Sequence, residues 1–260
     1  MESKLASSKS IGLVLSGGGV RGMAHVGLIK AMREFEVEAH MITGSSVGAL
    51  VGALYANGNT VEDMMQFFKE TPLFKYNFWT IAKAGFIDTD RYIGIFKGFF
   101  PEDSFEALEK HLYVVATNLQ EGTQKFFSSG ELIRPLLASA ALPPVFSPVE
   151  FNGQLYADGG IMNNFPTEPL VEKCDYIIGS NVSIVSHIEK KDLKNSFQLT
   201  NRVTGLMIYA SAKEKLASCD LLLESHDLDH IGVLDRKGIE KAYLIGYENG
   251  CKAFEKVLSH

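Results

Sequence analysis

The strongest constraint on the fold of this chain is a unit that occurs twice near its start. In each unit a short apolar run leads into a glycine-rich turn and then into a helical pattern. The first unit joins residues 11–16 to the glycine-rich segment 17–22, and the second joins residues 40–44 to an alanine-rich stretch at 47–56. Strands that alternate with helices in this way form a mainly parallel sheet with helices on its faces.

The same alternation continues along the rest of the chain, which favours one α/β domain over residues 11–260. Residues 1–10 are polar, and we expect them to form a disordered N-terminal tail. The remaining patterns predict helices over 61–70, 103–111, 131–141, 196–217 and 236–258, and strands over 113–117, 154–157, 176–179 and 221–223.

The composition narrows the class of protein. The chain has 260 residues, of which 46% are hydrophobic and 22% are charged, as in an ordinary globular protein. Its net charge of −6 argues against a nucleic-acid partner and against long-range attraction to anionic membranes. The three cysteines have no metal or redox spacing, and the chain shows neither a signal-peptide pattern nor a membrane-span run. We expect a cytoplasmic protein, with peripheral hydrophobic contact with lipid left open.

The second glycine-rich turn fits the G-x-S-x-G pattern of a nucleophile elbow. Gly44-Ser45-Ser46-Val47-Gly48 follows a predicted strand and precedes a predicted helix, and only Ser46 has the required spacing. Such a turn forces the serine into a strained conformation that projects its hydroxyl into a cleft. We expect Gly44 and Gly48 to be required because side chains at these positions would collide across the turn.

The first glycine-rich turn is suited to bind a negative charge. Successive glycines allow the amides of Gly18 and Gly19 to converge on one point, as an oxyanion hole requires. Each amide that faces a tetrahedral oxyanion contributes about 3–4 kcal/mol. Arg21 adds a fixed positive charge that would either orient a phosphate or stiffen the loop.

A dinucleotide site is the competing interpretation of this turn. Gly17, Gly19 and Gly22 match G-x-G-x-x-G after a strand and before a helix. That fingerprint also calls for an acidic residue at the end of the second strand, where this chain has a serine elbow. Glu36 and Glu38 come before that strand, so nucleotide binding ranks below acyl transfer.

A nucleophilic serine needs a base, and the sequence offers two arrangements. Asp158, followed by two glycines at the end of a predicted strand, would serve as base if burial raised its pKa. Asp158 with His226 or His230 would instead reproduce the chain order of an α/β-hydrolase triad. Asp158 in a plain Asp-Gly turn is the alternative without catalytic meaning.

Taken together and in order, several segments of this chain resemble the patatin-like phospholipase family. The resemblance covers residues 11–185 and extends more loosely to residue 250. It rests on Gly17–Gly22 running on as Met23-Ala24-His25-Val26-Gly27, on Gly44–Gly48, on Asp158-Gly159-Gly160, on Ala138-Ser139-Ala140-Ala141-Leu142-Pro143-Pro144-Val145-Phe146, and on Asn163-Asn164-Phe165-Pro166.

The resemblance implies a three-layer α/β/α sandwich and a Ser–Asp dyad that uses no histidine. Carried over to this chain, Ser46 is the nucleophile and Asp158 the base, while Gly18 and Gly19, with Gly17, form the oxyanion hole. It implies hydrolysis of fatty acyl esters of phospholipids or lysophospholipids through an acyl-serine intermediate, with no cofactor and no metal. A histidine-dependent esterase and a non-catalytic lipid- or nucleotide-binding protein are the alternatives.

Three further positions compare with the family's pattern in different ways. Arg21 matches the arginine of the family's glycine loop, which implies a role in substrate positioning. His25 matches a position that the family does not use as a base. Asn118 stands where relatives often carry aspartate, which is a departure outside the catalytic positions.

The segment 72–100 is crowded with aromatic side chains. Two functional interpretations are a lid or acyl-channel segment and a transient contact with a membrane surface. Packing within the core or at a dimer contact is the alternative, and we favour it for most of these residues. The aromatic residues are Phe74, Tyr76, Phe78, Trp79, Phe86, Tyr92, Phe96, Phe99 and Phe100, with Lys75 and Lys83 interleaved.

Overall fold

The computed structural model describes residues 4–71, 92–143 and 145–259. Its strands are β1 (Ile11–Leu15), β2 (Met41–Ser45), β3 (His111–Asn118), β4 (Thr123–Phe127), β5 (Val149–Phe151), β6 (Gln154–Asp158), β7 (Tyr176–Asn181) and β8 (Leu221–Glu224). Its helices are α1 (Lys4–Ser7), α2 (Met23–Glu34), α3 (Val47–Ala56), α4 (Val61–Glu70), α5 (Ile93–Phe99), α6 (Ile133–Ser139), α7 (Glu168–Val171), α8 (Ser196–Leu216) and α9 (Ile239–Leu258).

The described strands form one mixed sheet. Its order is β5-β6-β3-β2-β1-β7-β8, and β4 also pairs with β3. The neighbours among β3, β2, β1, β7 and β8 are parallel, whereas β4, β5 and β6 are antiparallel to the strands they pair with. The predicted mainly parallel α/β sheet is therefore confirmed.

Helices cover both faces of this sheet because successive strand residues point to opposite sides. In β1, Leu13 and Leu15 belong to the core shared with α2, α3 and α9. Val14, between them, belongs to a second core that includes Leu170 of α7 and Ala212 of α8. These two cores confirm the predicted three-layer α/β/α arrangement.

Strand β3 determines how the antiparallel strands join the sheet. Its residues 111–115 pair with β2, and its residues 114–118 pair with β4. Since these two pairings overlap, β2 and β4 lie on opposite edges of β3. Residues 116–118 also pair with β6, so β6 lies on the same edge of β3 as β2, in the part of that edge that lies beyond the end of β2.

Along this shared edge β2 and β6 approach each other end to end. Strand β2 is parallel to β3 and ends at Ser45, opposite Val115. Strand β6 is antiparallel to β3 and ends at Asp158, opposite Ala116. Ser46 follows the last residue of β2, so the sheet itself brings Ser46 and Asp158 together.

Two parts of the structure differ from the sequence expectations. Residues 4–7, within the expected disordered tail, form α1, whose Leu5 is buried. The predicted helix over 103–111 is wrong: Asp103 has a φ of 45°, and its side chain accepts hydrogen bonds from the backbone N–H groups of Leu132 and Ile133. These bonds keep the start of the segment out of a helix, and a 3-10 turn at Phe105–Ala107 is its only helical part before β3 begins at His111.

The aromatic segment is described in part. Residues 72–91, with most of the aromatic residues of the expected lid or channel, lie outside the described residues. In the described part, Phe96 and Phe99 pack edge-to-face on Phe67 of α4, and Tyr92, Phe96 and Phe100 are buried. For these residues the predicted core packing is confirmed.

Within the described part of the chain, no helix is both long enough and apolar enough to cross a bilayer.

Candidate active site

Ser46 occupies a strained turn between β2 and α3. Its φ of 53° and ψ of −125° lie outside the regions that a residue with a side chain ordinarily adopts. Helix α3 begins at the next residue, so the positive end of its dipole lies beside the serine. This is the backbone geometry of a nucleophile elbow.

The two outer glycines of the elbow are required by close packing. A Cβ atom at Gly44 would lie 2.5 Å from the carbonyl carbon of Gly48. A Cβ atom at Gly48 would overlap the backbone oxygen of Leu15 on β1. The predicted collision across the turn is confirmed, and Gly48 also allows α3 to pack directly on β1.

The hydroxyl of Ser46 donates a hydrogen bond to Asp158, with 2.7 Å between Oγ and Oδ2. The other carboxylate oxygen accepts from the backbone N–H of Gly160 at 2.7 Å. The backbone of Asp158 is also fixed, since its carbonyl accepts from the hydroxyl of Thr117 at 2.8 Å. The carboxylate is thus held in one orientation that faces the serine.

Burial changes the acidity of Asp158. The side chain is almost wholly inaccessible to solvent, and desolvation raises its pKa from the ordinary 3.8 to about 6. The hydrogen bonds from Ser46 and Gly160 oppose this rise, because they stabilise the ionised form. A carboxylate with a pKa near 6 is a much stronger base than an exposed aspartate and is still mostly ionised at neutral pH.

The glycine loop lies directly against Ser46. A Cβ atom at Gly17 would lie 3.2 Å from Cβ of Ser46, and one at Gly22 would overlap the side chain of Val47. Gly19 has a φ of 59°, which residues with side chains rarely adopt. The loop therefore touches both Ser46 and the start of α3.

The amides of the loop differ in their availability. The N–H of Gly17 donates to the backbone oxygen of Asn164 at 3.3 Å, and the N–H of Val20 donates to Val233 at 2.8 Å. Within the described residues, the N–H groups of Gly18 and Gly19 donate no hydrogen bond. Gly18 and Gly19 are thus the two residues of the predicted oxyanion hole whose donors are free to meet a ligand.

Comparison with known proteins gives this geometry a family. The sequence pattern of the patatin-like phospholipase family matches residues 13–171, which is more than half of the chain. This chain belongs to the patatin-like phospholipase family. The matched region begins in β1 and includes the glycine loop, the elbow and Asp158.

Related sequences agree with this family. An uncharacterised protein of the NTE family from Mycobacterium tuberculosis is 33% identical over 167 residues, which are 64% of this chain and 46% of that protein. The lysophospholipase nte1 of Aspergillus fumigatus is 27% identical over 282 residues, which are 96% of this chain and 18% of that protein. This chain thus matches less than half of the length of these curated relatives.

A solved structure shares the fold of this patatin-like chain. VipD from Legionella pneumophila superposes with a TM-score of 0.54 at 15% sequence identity, over 96% of this chain and 67% of that one. At this identity the match supports the three-layer architecture alone.

Arg21 of this patatin-like site contacts the segment 229–231. Its Nε donates to the backbone oxygen of Ile231 at 2.7 Å, and its guanidinium also contacts the backbone oxygen and the carboxylate of Asp229 at 3.1 and 3.2 Å. These contacts are those of a residue that stiffens the loop. Orientation of a substrate phosphate by Arg21 stays a prediction.

The histidines near the site have other partners. His25 is fully buried between the hydroxyl of Ser180 and the backbone oxygen of Ser16, and desolvation lowers its pKa to about 4, so it is neutral at pH 7. His226 lies 3.4 Å from the hydroxyl of Ser186. Among the described residues, neither His226 nor His230 forms a hydrogen bond with Ser46 or Asp158.

Two residues that contact the site received no role from the sequence. Ser139, the last residue of α6, accepts a hydrogen bond from the backbone N–H of Ser46 at 2.9 Å. Asn164 is buried, and its carboxamide oxygen lies over both Gly17 and Gly160. Both stand in segments that carried the family resemblance, but local spacing does not show which distant residue they meet.

No group of metal-binding side chains is found in the part of the chain that the structure describes.

The buried Nδ2 of Asn164 has no hydrogen-bond partner among the described residues. A buried amide donor without a partner next to the glycine loop is available for a ligand.

Proposed function

We propose that this chain is a serine hydrolase that cleaves fatty acyl esters of phospholipids or lysophospholipids. The observation that carries the proposal is the 2.7 Å hydrogen bond from Ser46 Oγ to a buried carboxylate whose pKa is about 6. A strained serine beside a base and next to free backbone amides has the parts that ester cleavage needs.

In the first half of the reaction, Ser46 Oγ attacks the carbonyl carbon of the ester. Asp158 Oδ2 accepts the hydroxyl proton as the new C–O bond forms. The tetrahedral intermediate then breaks the bond to the alcohol, and the protonated Asp158 returns the proton to the leaving oxygen. The products of this half are the free alcohol and an acyl ester of Ser46.

In the second half, a water molecule attacks the acyl ester. Asp158 accepts a proton from the water and returns it to Ser46 Oγ as the acyl bond breaks. The fatty acid leaves, and both residues regain their starting forms. One carboxylate serves both halves because a pKa of about 6 allows it both to accept a proton and to release it near neutral pH.

The free amides of Gly18 and Gly19 receive the negative charge of each tetrahedral intermediate. They cost no reorganisation during the reaction, since packing of Gly19 against Val233 holds the loop in place. The amide of Gly17, which already donates to Asn164, supports the loop and contributes through its position. Two donors at about 3–4 kcal/mol each would supply a large share of the rate acceleration.

The substrate class follows from the family and from the name of a relative. The family is described as patatin-like phospholipases, and the relative from Aspergillus fumigatus is named a lysophospholipase. Both names describe enzymes that act on fatty acyl esters of glycerophospholipids. This is the class that we propose for the present chain.

Labelling with a fluorophosphonate and hydrolysis of a short soluble ester test the proposal. Ser46→Ala should abolish both, whereas Ser45→Ala is the matched control because the buried hydroxyl of Ser45 has no partner within the described residues. Lysophospholipid and phospholipid then serve as substrates for the active protein. Persistent labelling of Ser46→Ala would refute the nucleophile.

Variants of His226 and His230 distinguish the proposed serine–aspartate mechanism from one that uses a serine–histidine–aspartate triad. Replacement of His226 and His230 by alanine should leave ester hydrolysis within about twofold of the native rate, since neither contacts the dyad. A loss of activity equal to that of Asp158→Asn would favour a histidine-dependent esterase instead.

A further inference from the structure

The first 16 of the 21 residues of α8 project from the body of the protein. Among the described side chains of residues 196–211, none is buried. The helix joins the core in its last two turns, where Ala212 and Leu216 pack with Val14 and Ile177 of the sheet and Tyr209 packs against them. About four turns of helix therefore bury no side chain completely, and the side opposite Ala212 is open to solvent.

The projecting turns carry an exposed apolar stripe. Leu199 is 51% exposed and Met207 is 69% exposed, and Val203 and Leu206 between them are also exposed. At 3.6 residues per turn these four side chains lie within about 100° of one another around the helix axis. They point away from the direction of Ala212, so α8 has two apolar faces and the protein covers only one of them.

The charge around this stripe is opposite to that of the whole chain. Residues 190–213 contain five basic residues and one acidic residue, a net charge of +4, whereas the chain carries −6. Lys190 and Lys194, just before the helix, are exposed and form no ion pair within the described residues. An apolar stripe with flanking lysines is typical of a helix that lies at the surface of an anionic membrane.

The segment that leads into α8 is anchored on the glycine loop. The hydroxyl of Ser183 donates to the backbone oxygen of Gly17 at 2.7 Å, and Val182 packs against Gly18. Arg202, in the second turn of α8, donates to the backbone oxygen of Ser186 at 2.9 Å. The first turns of α8 are therefore tied, through residues 182–186, to the glycine loop that touches Ser46.

Further exposed apolar residues lie at the site itself. Ile161 and Met162 follow directly after the Asp158 turn, and both are exposed. Val233, whose backbone packs on Gly19, is exposed as well. The apolar surface of α8 is thus accompanied by apolar residues at the glycine loop and at the catalytic turn.

We propose that the stripe Leu199, Val203, Leu206 and Met207, together with Lys190 and Lys194, docks the protein on an anionic phospholipid surface. The inference rests on the proposed lipid hydrolase function, because it supplies the reason for a membrane face beside Ser46. The stripe enters the headgroup region, and the lysines contact lipid phosphates. Since the chain as a whole is negative, this attraction acts only at short range and weakens with salt.

Co-sedimentation with vesicles tests the docking face. Ser46→Ala protein should be used, so that the vesicles stay intact, with phosphatidylcholine vesicles and with vesicles that also contain phosphatidylglycerol. Leu199→Ser with Met207→Ser should weaken binding to the mixed vesicles about tenfold or more. Leu244→Ser is the matched control, because Leu244 is also 51% exposed but lies on α9, on the other face of the sheet.

A charge variant separates the two parts of the face. Lys190→Gln with Lys194→Gln should weaken binding to the anionic vesicles about fivefold per charge and leave binding to pure phosphatidylcholine unchanged. Raising the salt concentration should weaken the binding of protein with both native lysines to the anionic vesicles to a similar extent. Equal loss on both kinds of vesicle would overturn the electrostatic part of the proposal.

Three results would overturn the docking face. The first is that protein with the native stripe does not sediment with the mixed vesicles, and the second is that Leu244→Ser weakens vesicle binding as much as the stripe variant does. The third is that light scattering shows a dimer, which Leu199→Ser with Met207→Ser dissociates. The last result would assign the stripe to a second copy of the chain. When the same stripe variants are made in protein that keeps Ser46, their rate of soluble ester hydrolysis should stay within about twofold of the native rate. A failure of docking can therefore be distinguished from a failure of the proposed chemistry.

Discussion

The hydroxyl of Ser46 and the carboxylate of Asp158 lie 2.7 Å apart, although 112 residues separate them along the chain. The contact follows from the pairing of β3, which holds β2 and β6 end to end along one edge. Each residue stands at the end of its strand, where the backbone turns away from the sheet. The hydrogen bond therefore joins the ends of two strands that a third strand aligns.

The pH dependence of hydrolysis should follow the ionisation of Asp158. Only the ionised carboxylate accepts the proton of Ser46, and burial raises its pKa to about 6. We expect kcat/KM for a soluble ester to fall about tenfold per pH unit below about 6 and to level off above about 7. A rate profile in which the acid limb lies near pH 4 would contradict the raised pKa.

Asp158→Asn should stabilise the fold while it abolishes activity. The folded-state pKa of about 6 lies above the ordinary 3.8, so this group favours folding fully below about pH 4 and loses that contribution as pH rises through about 6. At pH 8 the buried charge therefore costs about 2–3 kcal/mol, which the isosteric amide removes. Urea unfolding of both proteins from pH 4 to pH 8 measures the difference, which should vanish at the acidic end.

Ser139→Ala should displace Ser46, the proposed nucleophile, without removing its hydroxyl. The backbone N–H of Ser46 would lose its acceptor, at a cost of about 1–2 kcal/mol in the free energy of unfolding. We expect kcat to fall about tenfold to a hundredfold with little change in KM, because the strained turn relaxes. Thr60→Ala, which removes the cap of α4, is a control that should lose similar stability and keep kcat.

Asn164→Asp should move the acid limb of the rate profile to higher pH. Asn164 lies over Gly17 and Gly160, and Gly160 donates to the carboxylate of Asp158. A second carboxylate of the same shape would raise the pKa of Asp158 further, because like charges disfavour ionisation. Asn164→Ala adds no charge and should lower the rate without this shift. If the acid limb of the rate profile stays in place in Asn164→Asp, the side chain at 164 lies too far from Asp158 to change its pKa.

Arg21→Lys should lower kcat/KM by the same factor for all substrates. A lysine cannot reproduce the forked contacts with Ile231 and Asp229, so we expect a loss of about 1–3 kcal/mol in the free energy of unfolding. If Arg21 stiffens the loop, kcat/KM for a neutral short ester and for a phospholipid should fall by the same factor. A rise in KM confined to the phospholipid would assign Arg21 to substrate positioning instead.

Much of the fold was predictable because its signals are local. The apolar runs and glycine turns of the first two units predicted β1, β2 and α3 within one residue of their observed ends. The helix predicted over 103–111 failed, because hydrogen bonds from the distant residues 132 and 133 to Asp103 overrode local preference. The three-residue strand β5 was missed, because so short a strand has no clear pattern of its own.

The sequence by itself determined the strained serine turn, the glycine loop and the Asp-Gly-Gly turn, because each depends on glycines at fixed spacing over a few residues. Only the tertiary structure decided which partner Ser46 meets, which loop amides stay free, where Arg21 is bound, and which face of α8 stays uncovered. These are contacts between residues far apart in the chain. Burial, pKa and exposure arise only when strands and helices pack, so local spacing carries no record of them.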